Sequence, residues 1–189
     1  MCVEGHGDPI EYAVKMHRFS DRDLLSVRVA EGMLSHAEVD ELAGAIAAFH
    51  EMAERRDTAE AMKVPAKLSV NMQQICEALS AKLTGQPAST LNVVRTWSDT
   101  YLSEQVDAVR RRSSNGMIRE CHGDLHLQNI VKWRGRRVPF DGIEFNDDFR
   151  WIDIISDAAF LAMDLAAREH LDLSRGFVNS YLEKTGDYG

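Results

Sequence analysis

The chain has 189 residues, a length that suits one domain with its own hydrophobic core and is short for two. Apolar residues make up 44% and charged residues 28%, the balance of an ordinary globular protein, which excludes wholesale disorder. The net charge of −8 argues against a general nucleic-acid binder, because affinity for a phosphate backbone comes from clustered Lys and Arg.

Targeting and redox signals are sparse. No apolar run approaches the roughly 18 residues that a membrane span needs, and the first residues do not resemble a signal peptide. The three cysteines, Cys2, Cys76 and Cys121, are odd in number and too widely spaced for a zinc site, which favours reduced thiols. We therefore expect a cytoplasmic protein that binds neither a membrane nor nucleic acid.

The first part of the chain is predicted to be one strand followed by helices. Residues 11–16 form a short apolar run typical of a strand, and the helical region after it offers no partner strand. Capping-box spacings at Ser20 and Ser35 predict two helix starts. The second helix carries an apolar stripe formed by Val39, Leu42, Ile46, Phe49 and Ala53. His50 lies at its edge, where a packed or capping role is favoured over a catalytic one.

Two further helices follow, and their apolar positions are expected in the core. The first stripe consists of Leu68, Met72, Ile75, Leu79 and Leu83. A turn signal over residues 84–87 ends that helix, and a second helix is predicted over residues 89–112. Its apolar positions are Leu91, Val94, Trp97, Tyr101 and Val109.

After Gly116 the pattern changes to short extended runs, over residues 117–121, 130–133 and 138–140. A turn over residues 134–136 is expected to join the last two runs as a hairpin. Such a hairpin brings the residues before its first strand close to those after its second. Asn129 and Asp141 should therefore lie together.

The last part of the chain is predicted to be helical. Residues 151–168 are apolar almost all round, which is typical of a helix in the middle of a domain. Asp153 and Asp157 fall in its first turns, where carboxylates suit the positive end of the helix dipole. A final helix contains Phe177 and ends at Gly186.

The candidate chemistry lies in residues 122–129, which read His-Gly-Asp-Leu-His-Leu-Gln-Asn, and in Asp141. Phosphoryl transfer from ATP needs an oriented hydroxyl and neutralised phosphate charge, with little covalent chemistry from the protein. One aspartate can accept the hydroxyl proton, while an amide and a second aspartate offer the oxygen ligands that magnesium prefers. The order Asp124, Asn129, Asp141 supplies these groups.

This loop resembles the His-Gly-Asp-x-x-x-x-Asn loop of the aminoglycoside phosphotransferase family and, more distantly, the protein-kinase loop. The likeness is greatest to bacterial proteins in which such a domain precedes a P-loop ATP-binding module. It extends to Phe-Asp-Gly-Ile-Glu-Phe (residues 140–145) and Ala-Phe-Leu-Ala-Met-Asp-Leu (residues 159–165). The resemblance implies a mostly helical α+β fold, a kinase C-lobe with a small β-hairpin at the catalytic loop and a central buried helix.

The same resemblance implies the roles of individual residues, with ATP and Mg²⁺ as cofactors and a small-molecule hydroxyl as acceptor. Asp124 is the implied catalytic base, and His126, two positions later, is placed to contact the transferring phosphate. The implied magnesium ligands are Asn129 and Asp141. The implied supporting residues are His122, which orders the loop, Glu144, a nearby acid, and Asp153, which braces the loop from the central helix.

The resemblance covers nearly the whole chain but only one lobe of a kinase. It makes residues 1–19 the last strand of the nucleotide-binding lobe and the hinge, and residues 20–189 a C-lobe truncated at its end. The implied hinge, whose backbone meets adenine, is Met16, His17 and Arg18. Lys15 is not interpreted as the phosphate-binding lysine. We therefore expect the isolated chain to turn over ATP near background.

Three alternatives remain open at this stage. A truncated or degenerate kinase could survive as a binding module without catalysis. Gly-Asp-x-His is also found in metal-dependent phosphatases, although the upstream Asp-x-His and downstream Gly-Asn-His of that class are missing from the sequence. His122 and His126 would bind zinc only if they shared a helical face. The acceptor is expected on the helical region of residues 68–112, and the net charge favours a cationic one.

Overall fold

The computed structural model describes residues 17–188, and the statements below concern that part of the chain. The strand predicted over residues 11–16, with Lys15 and Met16, lies outside the described residues. The helices are α1 (Leu25–Ala30), α2 (His36–Met52), α3 (Thr58–Ala61), α4 (Val64–Ser80), α5 (Gln86–Glu104), α6 (Val106–Ser114), α7 (Asp147–Arg150), α8 (Ile154–Ala167) and α9 (Leu171–Thr185). The strands are β1 (Ile118–Glu120), β2 (Ile130–Trp133), β3 (Arg136–Pro139) and β4 (Trp151–Asp153).

Local capping chemistry sets several helix ends. At the start of α2 the Ser35 hydroxyl accepts a hydrogen bond from the Glu38 backbone N–H while the Glu38 carboxylate accepts one from the Ser35 N–H, which confirms the predicted capping box. Ser20 caps only a short 3-10 turn, Asp21–Asp23, before α1 begins. α9 ends as predicted at Gly186, whose φ of 68° is a left-handed conformation that favours glycine.

The strands form two small antiparallel sheets. β2 and β3 pair as the predicted hairpin, with Ile130 opposite Pro139. β1 pairs with β4, with Ile118 opposite Asp153. The second pairing corrects the helix predicted over residues 151–168, because its first three residues extend to pair with β1 and the helix begins only at Ile154.

The core lies between α2, α8 and α9. α9 packs against both of the other helices, and α1 lies against the segment that enters β2. The apolar periodicity of α2 predicted Val39, Leu42 and Ile46 as core, and all three are buried. Phe49 was predicted on the same stripe and is 39% exposed, because it lies on the edge of that helix face.

The apolar stripes of α4 and α5 were predicted to lie in the core, but most of their residues are exposed. Leu68, Ile75 and Leu79 on α4 are exposed, and Cys76 is the buried residue of that helix. Trp97, at 63% exposure, and Tyr101 stack on each other on the surface of α5. The predicted single helix over residues 89–112 is also two helices. The physical reason for the exposure is that these helices pack mainly on each other and on α6, away from the α2–α8–α9 core.

The described chain is mostly helical with small antiparallel sheets, in agreement with the predicted α+β class. Across residues 17–188 no helix combines the length and apolar character that crossing a membrane requires.

The buried residues of α8 include Ile154, Ala158, Leu161 and Leu165, so this helix supports the loop between β1 and β2 from within the core.

Candidate active site

The loop between β1 and β2 and the segment after β3 are brought together by the hairpin. Asn129 precedes β2 and Phe140 follows β3, and the Phe140 N–H donates to the Asn129 carbonyl over 2.9 Å. This extends the ladder by one step beyond the pair formed by Ile130 and Pro139. Asp141 follows Phe140 directly, so its backbone lies beside the end of the loop.

Asp124 and Asn129 are directly bonded. The Asn129 Nδ2 donates to the backbone carbonyl of Asp124 and to its carboxylate Oδ2, both over 3.0 Å. Both bonds use the amide nitrogen, so neither occupies the amide oxygen. The side chain of Asp124 is 39% exposed, which leaves its carboxylate open to a reacting group.

His126 also points toward Asp124. Its Nδ1 accepts from the Gln128 N–H over 3.2 Å, capping the 3-10 turn Leu127–Asn129, and its Nε2 lies 3.3 Å from the Asp124 Oδ2. With Nδ1 accepting, the ring proton belongs on Nε2, the nitrogen that faces the carboxylate. His126 therefore contacts the candidate base, and its predicted contact with a transferring phosphate stays a prediction.

His122 connects the loop to the segment that carries Asp141. Its Nδ1 accepts from the Asp124 N–H over 3.3 Å, and its Nε2 donates to the Phe140 carbonyl over 2.8 Å. Its own carbonyl accepts from the Ile143 N–H over 2.9 Å. The buried ring thus fixes the spacing between the residue after β3 and Asp124.

The turn that carries Asp141 is tightly built. Asp141 has a φ of 60°, a left-handed conformation that is uncommon for a residue with a side chain. At the next position, Gly142, a Cβ atom would lie 3.3 Å from the His122 carbonyl oxygen, so the close approach favours glycine. Asp141 and Glu144 are both exposed at this turn. The metal-binding role of Asp141 and the supporting role of Glu144 stay predictions.

A buried aspartate on α8 holds the start of the loop. Asp157, 1% exposed, accepts from the His122 N–H over 3.1 Å and from the Gly123 N–H over 3.0 Å, one on each carboxylate oxygen. The prediction gave this bracing contact to Asp153. In the structure Asp153 caps α8 and pairs with Arg112, because it ends β4 and faces α6. The signal for Asp157 was a carboxylate inside an otherwise apolar helix.

A second acid of α8 holds the end of the loop. The Asp164 carboxylate accepts from the Leu127 N–H over 2.9 Å and from the Arg168 guanidinium over 2.9 Å. Asp157 and Asp164 lie two turns apart on α8 and bind the two ends of one loop. Sequence reasoning assigned no role to Asp164.

His50 completes the support behind the loop. Its Nε2 contacts the Asp157 Oδ2 over 3.1 Å, and its Nδ1 contacts the Tyr181 hydroxyl over 2.7 Å. Cys121 lies within 4.8 Å of the same groups. This buried set does not suit a metal ion, because both imidazole nitrogens are already bonded and burial raises the pKa of the Cys121 thiol, which disfavours the thiolate that metals bind. His50 therefore has the packed role predicted for it.

The described part of the predicted hinge lies against the hairpin. His17 stacks on Trp133 of β2 with ring centroids 6.0 Å apart. Phe19 packs edge-on against Phe140 at 5.1 Å. These contacts place His17 and the neighbouring Arg18 beside the hairpin that leads to Asp141. Their predicted contact with adenine stays a prediction, and Met16 lies outside the described residues.

The zinc alternative is contradicted by the local structure. His122 lies in the loop after β1, and His126 caps a 3-10 turn. The two rings therefore do not share a helical face. Each ring is also already hydrogen-bonded, and in His122 both nitrogens are used, one with Asp124 and one with Phe140.

Comparison with known proteins identifies distant relatives. No family model matches the chain. An uncharacterized protein of Mycobacterium tuberculosis and one of Mycobacterium bovis are each 29% identical to it over 187 residues. The alignment covers 97% of this chain and 36% of each relative, so the chain spans about a third of the length of the curated relatives it matches.

Comparison with solved structures shows the fold. Two crystal forms of a glucosamine kinase align with TM-scores of 0.52 and 0.53, at 18% and 16% sequence identity. Each alignment covers 88% of this chain and 46% of the glucosamine kinase chain. At this identity the likeness concerns the fold alone. The described chain has a kinase-like fold.

Proposed function

We propose that this chain is the catalytic and acceptor-binding lobe of a phosphotransferase that moves the γ-phosphoryl group of ATP to a hydroxyl of a small molecule. Asp124 accepts the hydrogen bond and then the proton of the attacking hydroxyl. Asn129 and Asp141 hold magnesium. On this proposal residues 20–188 act together with a nucleotide-binding lobe.

The observation that carries the proposal is the set of hydrogen bonds made by the loop between β1 and β2. Asn129 is bonded through its amide nitrogen to Asp124, and the His122 ring joins Asp124 to the residue before Asp141. Folding alone does not require an aspartate bonded to an amide at a surface-open loop, with a second aspartate next to the residue that the same loop binds. Phosphoryl transfer uses these groups, because its catalysis rests on positioning and on neutralising phosphate charge.

The residues present fit magnesium. The Asn129 amide oxygen is not used in its bonds to Asp124. Asp141 is exposed and directly follows Phe140, whose N–H donates to the Asn129 carbonyl. Both are hard oxygen donors, the type that magnesium prefers. When bound, magnesium neutralises charge on the phosphate oxygens.

His126 has a positioning role in this proposal. Its Nε2 lies 3.3 Å from the Asp124 Oδ2, the same oxygen that accepts from Asn129. Both groups lie at Oδ2, which leaves the other carboxylate oxygen to meet the acceptor hydroxyl. The imidazole therefore orients the base, in addition to any contact with phosphate.

The test compares the chain with the same chain fused to the nucleotide-binding lobe of a kinase of this fold. Titration calorimetry with Mg²⁺ and ATP should show binding by the fusion. With an accepted hydroxyl compound, Asp124→Asn should lower phosphoryl transfer by about 10²- to 10⁴-fold, because it removes the base while keeping the side-chain shape.

Asp107→Asn, which changes an exposed carboxylate on α6, is the matched control and should leave transfer unchanged. If the fusion bound neither magnesium nor ATP, the proposal would be wrong. Robust ATP hydrolysis by the unfused chain that Asp124→Ala abolishes would contradict the requirement for a second lobe.

A further inference from the structure

A cavity of about 310 Å³ lies between the α3–α6 helices and the corner formed by α7, β4 and the start of α8. We name it the helical cavity. Its apolar lining includes Val64, Leu68, Tyr101, Trp151, Ile152 and Ile155. The exposed surface of its lining is mainly apolar. Its volume falls at the lower end of the range for small-molecule sites, about 300 to 1,000 Å³.

The helical cavity leads toward the candidate active site. A smaller hollow of about 220 Å³ is lined by Gly123 of the loop, Phe149, Asp157 and Phe160, and by Ile152 and Ser156. The last two residues also line the helical cavity. Gly123 precedes Asp124 directly, so the smaller hollow, which adjoins the helical cavity at Ile152 and Ser156, also adjoins the residue before the candidate base.

The cationic side chains that line the helical cavity are already paired within the protein. Arg112 donates to the Asp153 carboxylate over 2.6 and 2.8 Å and to Asp187 over 2.6 Å. Lys67 pairs with Asp148 of α7. A charged ligand would therefore have to break one of these ion pairs to gain a partner of opposite charge.

The third cationic side chain that lines the helical cavity, Arg56, lies against the aromatic ring of Trp151. Its guanidinium lies 4.7 Å from the centroid of the Trp151 ring and 3.8 Å from the Asp147 carboxylate. It therefore covers one face of Trp151 while its charge is offset by Asp147. What the helical cavity offers a ligand is aromatic and aliphatic surface rather than unpaired charge.

We propose that the helical cavity is the acceptor site and that it takes an uncharged molecule carrying a hydroxyl on an apolar or aromatic body. This inference rests on the proposed phosphotransferase function and adds the class of acceptor to it. It replaces the cationic acceptor that the net charge of −8 favoured, because each acid that lines the helical cavity already has a cationic partner. The pairs are Asp147 with Arg56, Asp148 with Lys67, Asp153 with Arg112 and Glu60 with Lys63. The hydroxyl would reach Asp124 past Gly123.

The test uses phenyl β-D-glucoside as a neutral probe with an aromatic body, and kanamycin as a polycationic probe. Titration calorimetry on the 189-residue chain without ATP should show binding of phenyl β-D-glucoside and much weaker binding of kanamycin. Leu68→Gln, in the wall of the helical cavity, should weaken the first interaction about five- to tenfold because it replaces apolar contact surface.

Ile75→Gln is the matched control, since Ile75 lies on the same helix, is 52% exposed and is not part of the lining, whereas Leu68 is 37% exposed. It should leave binding unchanged. Tighter binding of kanamycin, no binding of phenyl β-D-glucoside, or equal effects of the two variants would overturn the inference.

The same probe separates this inference from the proposed function. Binding with the expected Leu68 dependence but without phosphoryl transfer in the two-lobe fusion would support the acceptor site and contradict the phosphotransferase.

Discussion

Two helical regions of this molecule have similar sequence patterns and different burial. α2 buries Val39, Leu42 and Ile46 against α9, whereas α4 repeats the same spacing and exposes Leu68 and Ile75. The difference is position. α2 lies in the core that holds the loop between β1 and β2, and α4 packs on α5 and α6 beside the helical cavity. Apolar periodicity predicts which face of a helix is apolar, but not whether a partner covers it.

The two regions also differ in where their polar residues lie. In the core region Asp157 is buried and bonded to the loop, and the buried His50 is bonded to Asp157. In the helical region charged residues lie at the rim of the cavity and pair across it, as Lys67 does with Asp148. One region therefore holds the loop in place, and the other is open to a ligand.

The largest effect is expected from Asp157→Ala. It leaves the His122 and Gly123 N–H groups and the His50 ring without their buried acceptor, which should lower the free energy of unfolding by about 3 to 5 kcal/mol. Urea unfolding followed by circular dichroism measures the change. A loss below about 1 kcal/mol would mean that the loop does not depend on α8 for its support.

The next effect tests the contrast between the helices directly. Ile46→Ala removes a fully buried side chain and should cost about 3 kcal/mol. Ile75→Ala, at a 52% exposed site on α4, should change stability by about 0.5 kcal/mol or less. The same urea titration compares both variants. Equal losses of stability would show that α4 is covered in solution and would contradict the difference in burial between α2 and α4.

A smaller effect is expected where the two regions meet. Arg112 of α6 binds Asp153, the cap of α8, and Asp187 after α9, and these acids raise the pKa of the guanidinium. Arg112→Ala should cost about 2 kcal/mol, since these are charge-assisted bonds in a half-buried site. Arg95→Ala, on exposed α5, is the control. Similar values for the two variants would argue that α6 is not tied to the core.

The smallest effect is a pH dependence at the α2–hairpin contact. Burial of Glu38 opposes its ionisation, but hydrogen bonds from the Ser35 N–H and from Lys132 outweigh it and lower the pKa from 4.5 to about 2. The folded state therefore gains stability from Glu38 above its unfolded pKa, and that stability is lost as pH falls from 4.5 toward 2.

Glu38→Gln should flatten the dependence of stability on pH in that window, as measured by urea unfolding between pH 2 and pH 6. Glu77→Gln, exposed on α4, should retain the slope of the unchanged chain. A slope that is the same in both variants would contradict the role of Glu38.

Much of the fold could be predicted because local chemistry determines it. The capping box at Ser35, the turn that joins β2 to β3 and the glycine after α9 each depend on residues near in sequence. The pairing of β1 with β4 could not be predicted in the same way. Trp151 and Ile152 are as apolar as the helix they precede, and only contact with a strand distant in sequence makes them extended.

The residues of the candidate site also divide into those that a local motif predicts and those that depend on contacts distant in sequence. Asp124, Asn129 and Asp141 follow from a short motif, and the hairpin that brings their backbones together was predicted from its turn. Asp157 and Asp164 support the loop from more than thirty residues away, as the hydrogen bonds to His122 and Leu127 show. No local pattern distinguishes them from other acids, apart from the apolar helix in which they lie.

The most direct test of the central proposal is paramagnetic broadening by Mn²⁺, which replaces Mg²⁺ at oxygen sites, in the amide spectrum of the two-lobe fusion with ATP present. We expect the strongest broadening at Asp124, Asn129 and Gly142, and its loss in Asp141→Asn but not in Asp107→Asn. Broadening centred on the acids of α7, or unchanged in Asp141→Asn, would contradict a metal site at the His-Gly-Asp loop.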